Sequence, residues 1–259
     1  MASTGKIYFI SDIHLGLYPP EKSAVREKIL VDWLQGISGD ATELYMLGDI
    51  FDFWHEYKHV IPKGFTRFLG KLAELSDKGI MLHYFTGNHD IWVYDYLPSE
   101  IGLRVYRHHI QREINGKKFF IGHGDGIGRG DRGYKLMKWG FTNKTLQWLF
   151  ARIHPNTAMA FGKRWSKSSR YAKGLIAERF RGEDSELQVM FAKEILQSAH
   201  FDYFIFGHRH TPFDIKLQKS RILNLGDWIS HFTYAVWDGK ELELHSIYPE
   251  REKEIYRNE

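Results

Sequence analysis

Residues 44–52 have the sequence LYMLGDIFD, an apolar run that ends in Gly48-Asp49 and is followed by a second carboxylate, Asp52. A short apolar run bounded by a glycine is typical of a buried strand, which would deliver its last residue to the edge of a sheet. One carboxylate in such a place is weak evidence of function. The same design, however, occurs four more times in this chain.

Four further apolar runs each lead into a cluster of His, Asp or Asn residues. In chain order these clusters are Asp12-Ile13-His14, Gly87-Asn88-His89-Asp90, Gly122-His123-Gly124-Asp125 and Gly207-His208-Arg209-His210. Each alone has an ordinary structural explanation; the second could be a turn in which Asn takes a left-handed conformation. Because all five follow predicted strands, we predict that their side chains form one functional site.

The composition limits what this site can be. A chain of 259 residues suits one large domain, or one domain with a sizeable insertion. It has no cysteine, so disulfides and thiolate ligands are excluded, and a metal would be bound by nitrogen and oxygen atoms. We find no apolar run long enough to span a membrane and no signal-peptide segment at the start, which predicts a cytoplasmic protein.

The basic charge is concentrated in one segment. Residues 129–182 hold 13 Lys and Arg against 2 Asp and Glu, and nine aromatic residues, whereas the rest of the chain holds 23 basic and 30 acidic residues. A charge run alone is about as often a solvated face as a binding surface. The interleaved aromatic residues favour a surface that meets something both anionic and apolar. We therefore predict a core of residues 1–128 and 183–259, with residues 129–182 as a basic, aromatic-rich helical cap.

The core pattern predicts an α/β fold. Strands at 6–12, 43–49 and 80–86 alternate with helices at 21–36 and 63–77, which indicates a mostly parallel sheet with ligands at the carboxyl ends of its strands. Later in the chain strands are dense. We expect two mixed β-sheets packed face to face with flanking helices, plus the helical cap.

Four local signals refine this expectation. Asn115-Gly116 and Asp238-Gly239 each lie between apolar stretches and predict hairpins. Ser185 and Gln188 have the spacing of a capping box and predict the start of a helix over 185–199. The charged tail after Pro249 is expected to fray.

The five clusters together resemble the motif set of the calcineurin-like metallophosphoesterases, which have an αββα sandwich fold. The resemblance implies two divalent metal ions, most plausibly Mn²⁺, although Fe²⁺, Zn²⁺ and Mg²⁺ also suit these ligands. One metal would be held by Asp12, His14, Asp49 and His210, and the other by Asp49, Asn88, His123 and His208. In the family His89 is not a ligand; it faces the phosphate and would stabilise charge or protonate the leaving oxygen. Asp90 would orient His89, and Asp52 would support the metal ligands.

The cap resembles that of one branch of this family. That branch hydrolyses the pyrophosphate of a diacylated UDP-glucosamine at the inner face of the cytoplasmic membrane, releasing UMP and the diacylated sugar 1-phosphate for lipid A synthesis. The resemblance implies a substrate site formed by Asn88, His89, Asp131, Ser166, Arg170, Lys173 and His208. Two positions depart from the branch, which has Arg in place of His89 and Asn in place of Arg170.

A helix over residues 160–180 would carry two adjacent stripes. Residues 166, 170 and 173 form a polar stripe, and Phe161, Trp165 and Ile176 lie on the apolar one. Cationic groups beside an apolar stripe suit a phosphorylated lipid, although the stripe could also simply pack the cap onto the core. Two other functions stay open: a phosphodiesterase acting on nucleotides or nucleic acid, and a scaffold without activity, which would have no need of seven intact ligands.

Overall fold

The computed structural model describes residues 5–128, 132–173 and 180–258, with only the backbone described for residues 132–134 and 168–173. Within these described ranges, twelve strands form two six-stranded sheets. Their bounds are β1 Lys6–Ile10, β2 Ala41–Met46, β3 Met81–Phe85, β4 Arg104–Tyr106, β5 Ile110–Ile114, β6 Lys117–Ile121, β7 Tyr203–Phe206, β8 Pro212–Leu217, β9 Ser220–Leu225, β10 Thr233–Trp237, β11 Leu242–Ser246 and β12 Tyr256–Arg257. The helices are α1 Pro20–Ile37, α2 Thr66–Asp77, α3 Tyr96–Ile101, α4 Arg132–Thr142, α5 Lys144–Phe150, α6 Pro155–Lys173 and α7 Leu187–Ile195, with a 3₁₀ helix at Pro249–Glu254.

Both sheets are mixed. The first has the strand order β11-β10-β1-β2-β3-β4, in which β1 to β4 run parallel and the β10–β11 hairpin is antiparallel. The second has the order β12-β8-β9-β7-β6-β5, with parallel pairing at its centre and antiparallel pairs further out. The predicted fold class, two mixed sheets with flanking helices, is confirmed.

The main apolar core lies between the sheets. Phe9 of β1 stacks on Tyr45 of β2 at 5.0 Å between ring centroids, and both pack with Phe119 and Ile205 of the second sheet. All four side chains are essentially excluded from solvent. Because these strands are covered on both faces, their sequences are continuously apolar and do not alternate. Helices cover the outer faces and complete the layers.

The two predicted hairpins are present. Asn115 and Gly116, between β5 and β6, have φ angles of 51° and 77°, the pair of positive values that a tight two-residue turn requires. Residues 238–241 likewise join β10 to β11.

Three local expectations differ from the structure. The N-cap of α7 is Glu186, which makes no side-chain capping bond because its carboxylate accepts from Arg209. Gln188 likewise does not cap the helix but donates to the carbonyl of Gly207 at 2.8 Å. The tail does not fray, since Ile255 is buried in the core and β12 pairs with β8. The predicted cap helix over 160–180 begins earlier, and its described part is α6; residues 174–179, including Ile176, lie outside the described residues. Among the described residues we find no helix with the length and apolar character to cross a membrane.

Candidate metal centre

The polar clusters that follow β1, β2, β3, β6 and β7 meet at one end of the sheets. Three groups of possible ligand atoms form there, and within each group the atoms lie within 4.8 Å of one another. The groups are Asp12, His14 and His210; Asp49, His123 and His208; and His14, Asp49 and His89. Asp49 and His14 each belong to two of these groups, and Asp49 Oδ2 lies within 4 Å of both His123 Nε2 and His14 Nε2, between the first group and the second.

The backbone of the site is strained. Asp12, His14, Asp49, His208 and His210 have φ angles of 52°, 49°, 53°, 70° and 55°, in the left-handed region that side chains other than glycine seldom adopt. Strain of this kind persists where the surrounding structure imposes it, and it is concentrated at functional sites. Here it turns each side chain toward the common centre as its strand ends.

Glycines allow the loops to approach the carboxylates. A Cβ atom on Gly87 would lie 2.1 Å from Asp49 Oδ1, and one on Gly207 would lie 2.5 Å from Asp12 Oδ2. These approaches create hydrogen bonds, because the N–H of His89 donates to Asp49 Oδ1 at 2.9 Å and the N–H of His208 donates to Asp12 Oδ2 at 2.8 Å. One oxygen of each carboxylate is therefore fixed by the backbone.

The other carboxylate oxygens face imidazole rings. Asp12 Oδ1 lies 3.4 Å from His210 Nε2, and Asp49 Oδ2 lies 3.5 Å from His123 Nε2 and 3.8 Å from His14 Nε2. Such a set of anionic oxygens and ring nitrogens is stable only with a positive charge between them.

Contacts on the far side of each ring fix which nitrogen faces the centre. His123 Nδ1 lies 2.6 Å from the carbonyl oxygen of Leu47, which can only accept, so this nitrogen carries a proton and Nε2 is the atom that faces the centre, where it can hold either a proton or a metal. His14 Nδ1 lies 3.5 Å from Asp52 Oδ1, so its Nε2 is likewise the nitrogen on the side of Asp12 and Asp49. Burial also lowers the pKa of His14 to about 3, so the ring is neutral and suited to binding a metal.

The residues present fit divalent cations. Asp12 Oδ1, Asn88 Oδ1 and His123 Nε2 are buried and accept no hydrogen bond from any residue that the structure describes. Although burial opposes it, Asp49 raises the pKa of His123 to about 10, so a proton would occupy the place that a cation otherwise takes. Carboxylate, amide and imidazole donors together are the set that first-row divalent metals prefer.

The sequence analysis missed Asp227 as a residue of the site. Its Oδ2 lies 3.2 Å from His210 Nδ1, and its Oδ1 accepts hydrogen bonds from the N–H groups of Ile229, Ser230 and His231. Despite burial, contacts with His210 hold the pKa of Asp227 far below its usual range. A signal was present, because Gly226-Asp227 follows β9 as Gly48-Asp49 follows β2.

His89 contacts the cap. Its Nδ1 lies 3.0 Å from the carbonyl oxygen of Asp52 and 3.1 Å from Ser166 Oγ, and the Ser166 hydroxyl donates to Asp52 Oδ1 at 3.0 Å. The expectation that Asp90 orients His89 is wrong. Asp90 instead accepts hydrogen bonds from the N–H groups of Ile50 and Gly87, and so joins the two ligand loops.

An apolar pocket, which we call the cap pocket, begins beside these residues. Asn88, His89 and Ser166 line one end, and its walls are aromatic: Phe53, Trp92, Phe141, Phe150, Phe161 and Trp165. It shares Trp92, Met137, Phe141, Phe150 and Phe161 with a more open apolar groove of about 480 Å³ within the cap. The cap pocket and this groove are therefore adjacent, with Asn88 and His89 at one end and Leu146, Leu149 and Ile153 at the other.

Other predicted substrate residues are less well placed by the structure. His208 lies beside His123, with ring centroids 5.1 Å apart, and so belongs to the metal centre. Asp131 lies outside the described residues. Arg170 and Lys173 lie on α6, but their side chains are among those that are not described.

Known proteins resemble this chain in sequence. The family model for calcineurin-like phosphoesterases matches residues 5–212. A protein of Porphyromonas gingivalis named UDP-2,3-diacylglucosamine hydrolase is 42% identical over 255 residues, covering 93% of this chain and 97% of the relative. A protein of the same name from Haemophilus influenzae is 26% identical over 230 residues, covering 87% of this chain and 91% of the relative.

Solved structures with similar folds include a phosphoesterase from E. coli, at 16% identity and a TM-score of 0.46, covering 93% of this chain and 92% of that one. An archaeal phosphodiesterase has 13% identity and a TM-score of 0.46, covering 93% of this chain and 98% of that one.

Proposed function

This chain belongs to the calcineurin-like phosphoesterase family, and we propose that it hydrolyses the pyrophosphate of UDP-2,3-diacylglucosamine, releasing UMP and 2,3-diacylglucosamine 1-phosphate in lipid A synthesis. It is a metal-dependent hydrolase. The observation that carries the substrate assignment is the cap pocket, which places aromatic walls directly beside the polar centre. The P. gingivalis and H. influenzae relatives, both named for this substrate, also support it.

We assign two divalent metal ions to the centre, Mn²⁺ by resemblance to the family. Asp12, His14 and His210 would hold one, Asn88, His123 and His208 the other, and Asp49 both, since only a carboxylate has two anionic oxygens with which to bridge. Such a pair, when bound, supplies Lewis-acid polarisation of the phosphate and an acidified water. The chain's own contribution is to orient these ligands through the Leu47 carbonyl, Asp52 and Asp227.

His89 is the catalytic residue in this proposal. Its Nδ1 is turned to the Asp52 carbonyl and to Ser166, so this side of the ring is anchored and the ring position is fixed. From there it stabilises charge on the phosphate or protonates the leaving oxygen, a role worth about 10²–10⁴-fold in rate. Asp52 holds both Ser166 of the cap and His14 of the core, and so connects substrate binding to the metal ligands.

The cap, residues 129–182, binds the acyl chains. It is tied to the core near the site, because Trp92 Nε1 donates to the Phe141 carbonyl at 2.9 Å and the ring of Phe53 packs against Gly162. Each buried CH₂ of an acyl chain contributes about 0.8 kcal/mol, so an apolar path distinguishes acylated from small substrates.

An exposed surface of the cap, formed by Trp139, Trp148, Leu149 and Arg152, suits peripheral association with the cytoplasmic membrane. Trp139, Trp148 and Leu149 are about half exposed, and Arg152 stacks on Trp148 at 3.6 Å from its ring centroid. Apolar side chains among cations favour an anionic lipid surface. Cosedimentation with vesicles that contain anionic lipid, compared between the parent and Trp148→Ser, measures this; unchanged sedimentation in the variant would count against this surface.

The substrate assignment is tested by comparing how cap variants act on the acylated substrate and on a small one. We expect Phe161→Ser and Trp165→Ser to raise KM for UDP-2,3-diacylglucosamine at least about 10-fold, since each removes an aromatic wall of the cap pocket. Hydrolysis of a small chromogenic phosphodiester should not change, and Ala160→Ser, on the exposed side of the same helix, should affect neither substrate.

Two results would contradict the assignment. One is an equal effect of these variants on both substrates. The other is efficient cleavage of single-stranded nucleic acid, falling steeply with salt, while the acylated sugar nucleotide stays intact.

A further inference from the structure

A second pocket borders the metal centre. It has a volume of about 310 Å³, and its lining includes Thr86, Arg107, His108, His123, Lys138 and Phe191. Because His123 also belongs to the group with Asp49 and His208, this pocket opens beside the metal ligands. We call it the Arg107/Lys138 pocket.

This pocket and the cap pocket share no lining residue. Two elements separate them. In the loop after β3, Thr86 lines the Arg107/Lys138 pocket and Asn88 lines the cap pocket. On α4, Lys138 lines the former and Met137 the latter, since consecutive helical residues point about 100° apart. A molecule that spans the Asn88 loop therefore has one end in each pocket.

The two pockets differ in chemistry. The walls of the cap pocket are mostly aromatic, whereas Arg107 and Lys138 bring positive charge to the second pocket. Arg107 is held in place, because it donates to the carbonyl of Val93 at 2.6 Å and its guanidinium lies 5.5 Å from the Tyr94 ring centroid. Among the lining residues that the structure describes, Asp125 is the one acidic residue, and Lys138 Nζ lies 2.5 Å from its Oδ2.

Aromatic side chains complete this pocket. The ring of His109 stacks on that of Phe120 at 4.5 Å, and Phe191 and Phe206 line the opposite part. Fixed cations beside aromatic rings suit a phosphate with an attached base, and the volume is in the range of small-molecule sites.

We propose that the Arg107/Lys138 pocket binds the nucleoside monophosphate half of the substrate while the cap pocket binds the acylated half. This inference rests on the proposed function. The proposed substrate has a pyrophosphate between two chemically different halves, and such a molecule requires two different pockets, one on each side of the Asn88 loop.

The test is calorimetric binding of UMP and of inorganic phosphate to the Mn²⁺-loaded protein. Both ligands offer a phosphate to the metals, so the affinity ratio reports the rest of the nucleotide. The parent should bind UMP at least about 10-fold more tightly than phosphate. His108→Ala should weaken UMP binding by about 5- to 50-fold and leave phosphate binding unchanged, which also shows that the metal centre is intact. Lys138→Ala, which removes a cation for the phosphate, should weaken the binding of both ligands.

Matched control variants are available elsewhere on the surface. His59→Ala and Lys144→Ala remove an exposed histidine and an exposed lysine outside the pocket, and neither should change either affinity. The inference is overturned if the parent binds UMP no more tightly than phosphate, or if both pocket variants bind UMP as the parent does.

Failure of this inference can be distinguished from failure of the proposed function, because the binding experiment uses UMP and phosphate and does not depend on the lipid substrate. Cleavage of UDP-2,3-diacylglucosamine without preferential UMP binding removes the pocket assignment alone. Preferential UMP binding that the pocket variants abolish, without cleavage of the lipid, supports the pocket as a nucleotide site and removes the lipid assignment.

Discussion

The hydroxyl of Ser166, in the cap, donates a hydrogen bond of 3.0 Å to Asp52 Oδ1, in the core. Both side chains are almost fully buried, and the same Asp52 oxygen lies 3.5 Å from His14 Nδ1. A residue of the cap is thereby joined to a ligand of the metal centre through one carboxylate. In the proposed function, the cap is thus part of the catalytic arrangement as well as the binding site of the acyl chains.

Ser166→Ala should lower kcat on both the acylated substrate and a small phosphodiester. A hydrogen bond to a buried charged group contributes about 1.5–3 kcal/mol, so the expected loss is on the order of 10- to 100-fold. Metal content should stay at the parent level. Steady-state kinetics with both substrates measure this, and Thr157→Ala, an exposed position on the same helix, is the control. Parent kcat values in Ser166→Ala would show that the contact plays no part in turnover.

Asp227→Asn should weaken metal binding. The amide keeps an oxygen that can accept from the N–H groups of residues 229–231, but it removes the charge beside His210 Nδ1. Loss of such a carboxylate typically costs 10- to 100-fold in metal affinity. Competition titration with a metal chelator measures it. Asp238→Asn is the matched control, because Asp238 also accepts from two backbone N–H groups in a turn; equal affinities in both variants would contradict the role of Asp227.

Asp49→Asn should lose more metal than Asp12→Asn. Asp49 lies in two of the ligand groups, whereas Asp12 lies in one. Replacement of Asp49 should therefore weaken both metal positions. Elemental analysis of protein purified with Mn²⁺ should find little metal in Asp49→Asn and about one ion per chain in Asp12→Asn. Equal metal content in the two variants would show that Asp49 does not bridge.

An ion pair between Arg112 and Glu43 joins the two sheets and makes the stability of the fold depend on pH. Arg112 of β5 donates to Glu43 of β2 at 2.6 Å, and His83 of β3 lies 3.0 Å from the same carboxylate. Although burial opposes it, contacts with His83, Arg112 and Tyr45 lower the pKa of Glu43 from 4.5 to about 2. A lowered pKa stabilises the fold above pH 4.5, and this contribution is lost as the pH falls toward 2.

Urea unfolding of the parent and Glu43→Gln at pH 7 and pH 3 measures this contribution. The parent should exceed the variant in stability by more at pH 7 than at pH 3. Glu113→Gln, at an exposed position on β5, should show no such difference between the two pH values. A constant gap between the parent and Glu43→Gln would contradict the assignment.

Much of the metal centre could be predicted from sequence because its ligands come in short motifs at strand ends. Asp49 and His210 are far apart in the chain, yet each follows a glycine-bounded apolar strand, and the carboxyl ends of such strands meet. Glycine was also informative, since Gly87 and Gly207 occupy positions where a Cβ atom would strike a ligand carboxylate.

The rest depended on contacts that no local pattern encodes. Asp90 lies next to His89 in sequence, but its side chain turns away and accepts from the N–H groups of the Asp49 loop. Gln188 has the spacing of a capping residue, yet its side-chain amide donates to a buried carbonyl of the His208 loop and does not cap the helix. The charged tail is ordered because one apolar residue, Ile255, reaches the core.

The most direct test of the central claim is incubation of the Mn²⁺-loaded protein with UDP-2,3-diacylglucosamine, with products identified by mass spectrometry. We predict stoichiometric UMP and 2,3-diacylglucosamine 1-phosphate, abolished by chelator and restored by added metal. An unchanged acylated sugar nucleotide, under conditions in which the same preparation hydrolyses a small phosphodiester, would contradict the account.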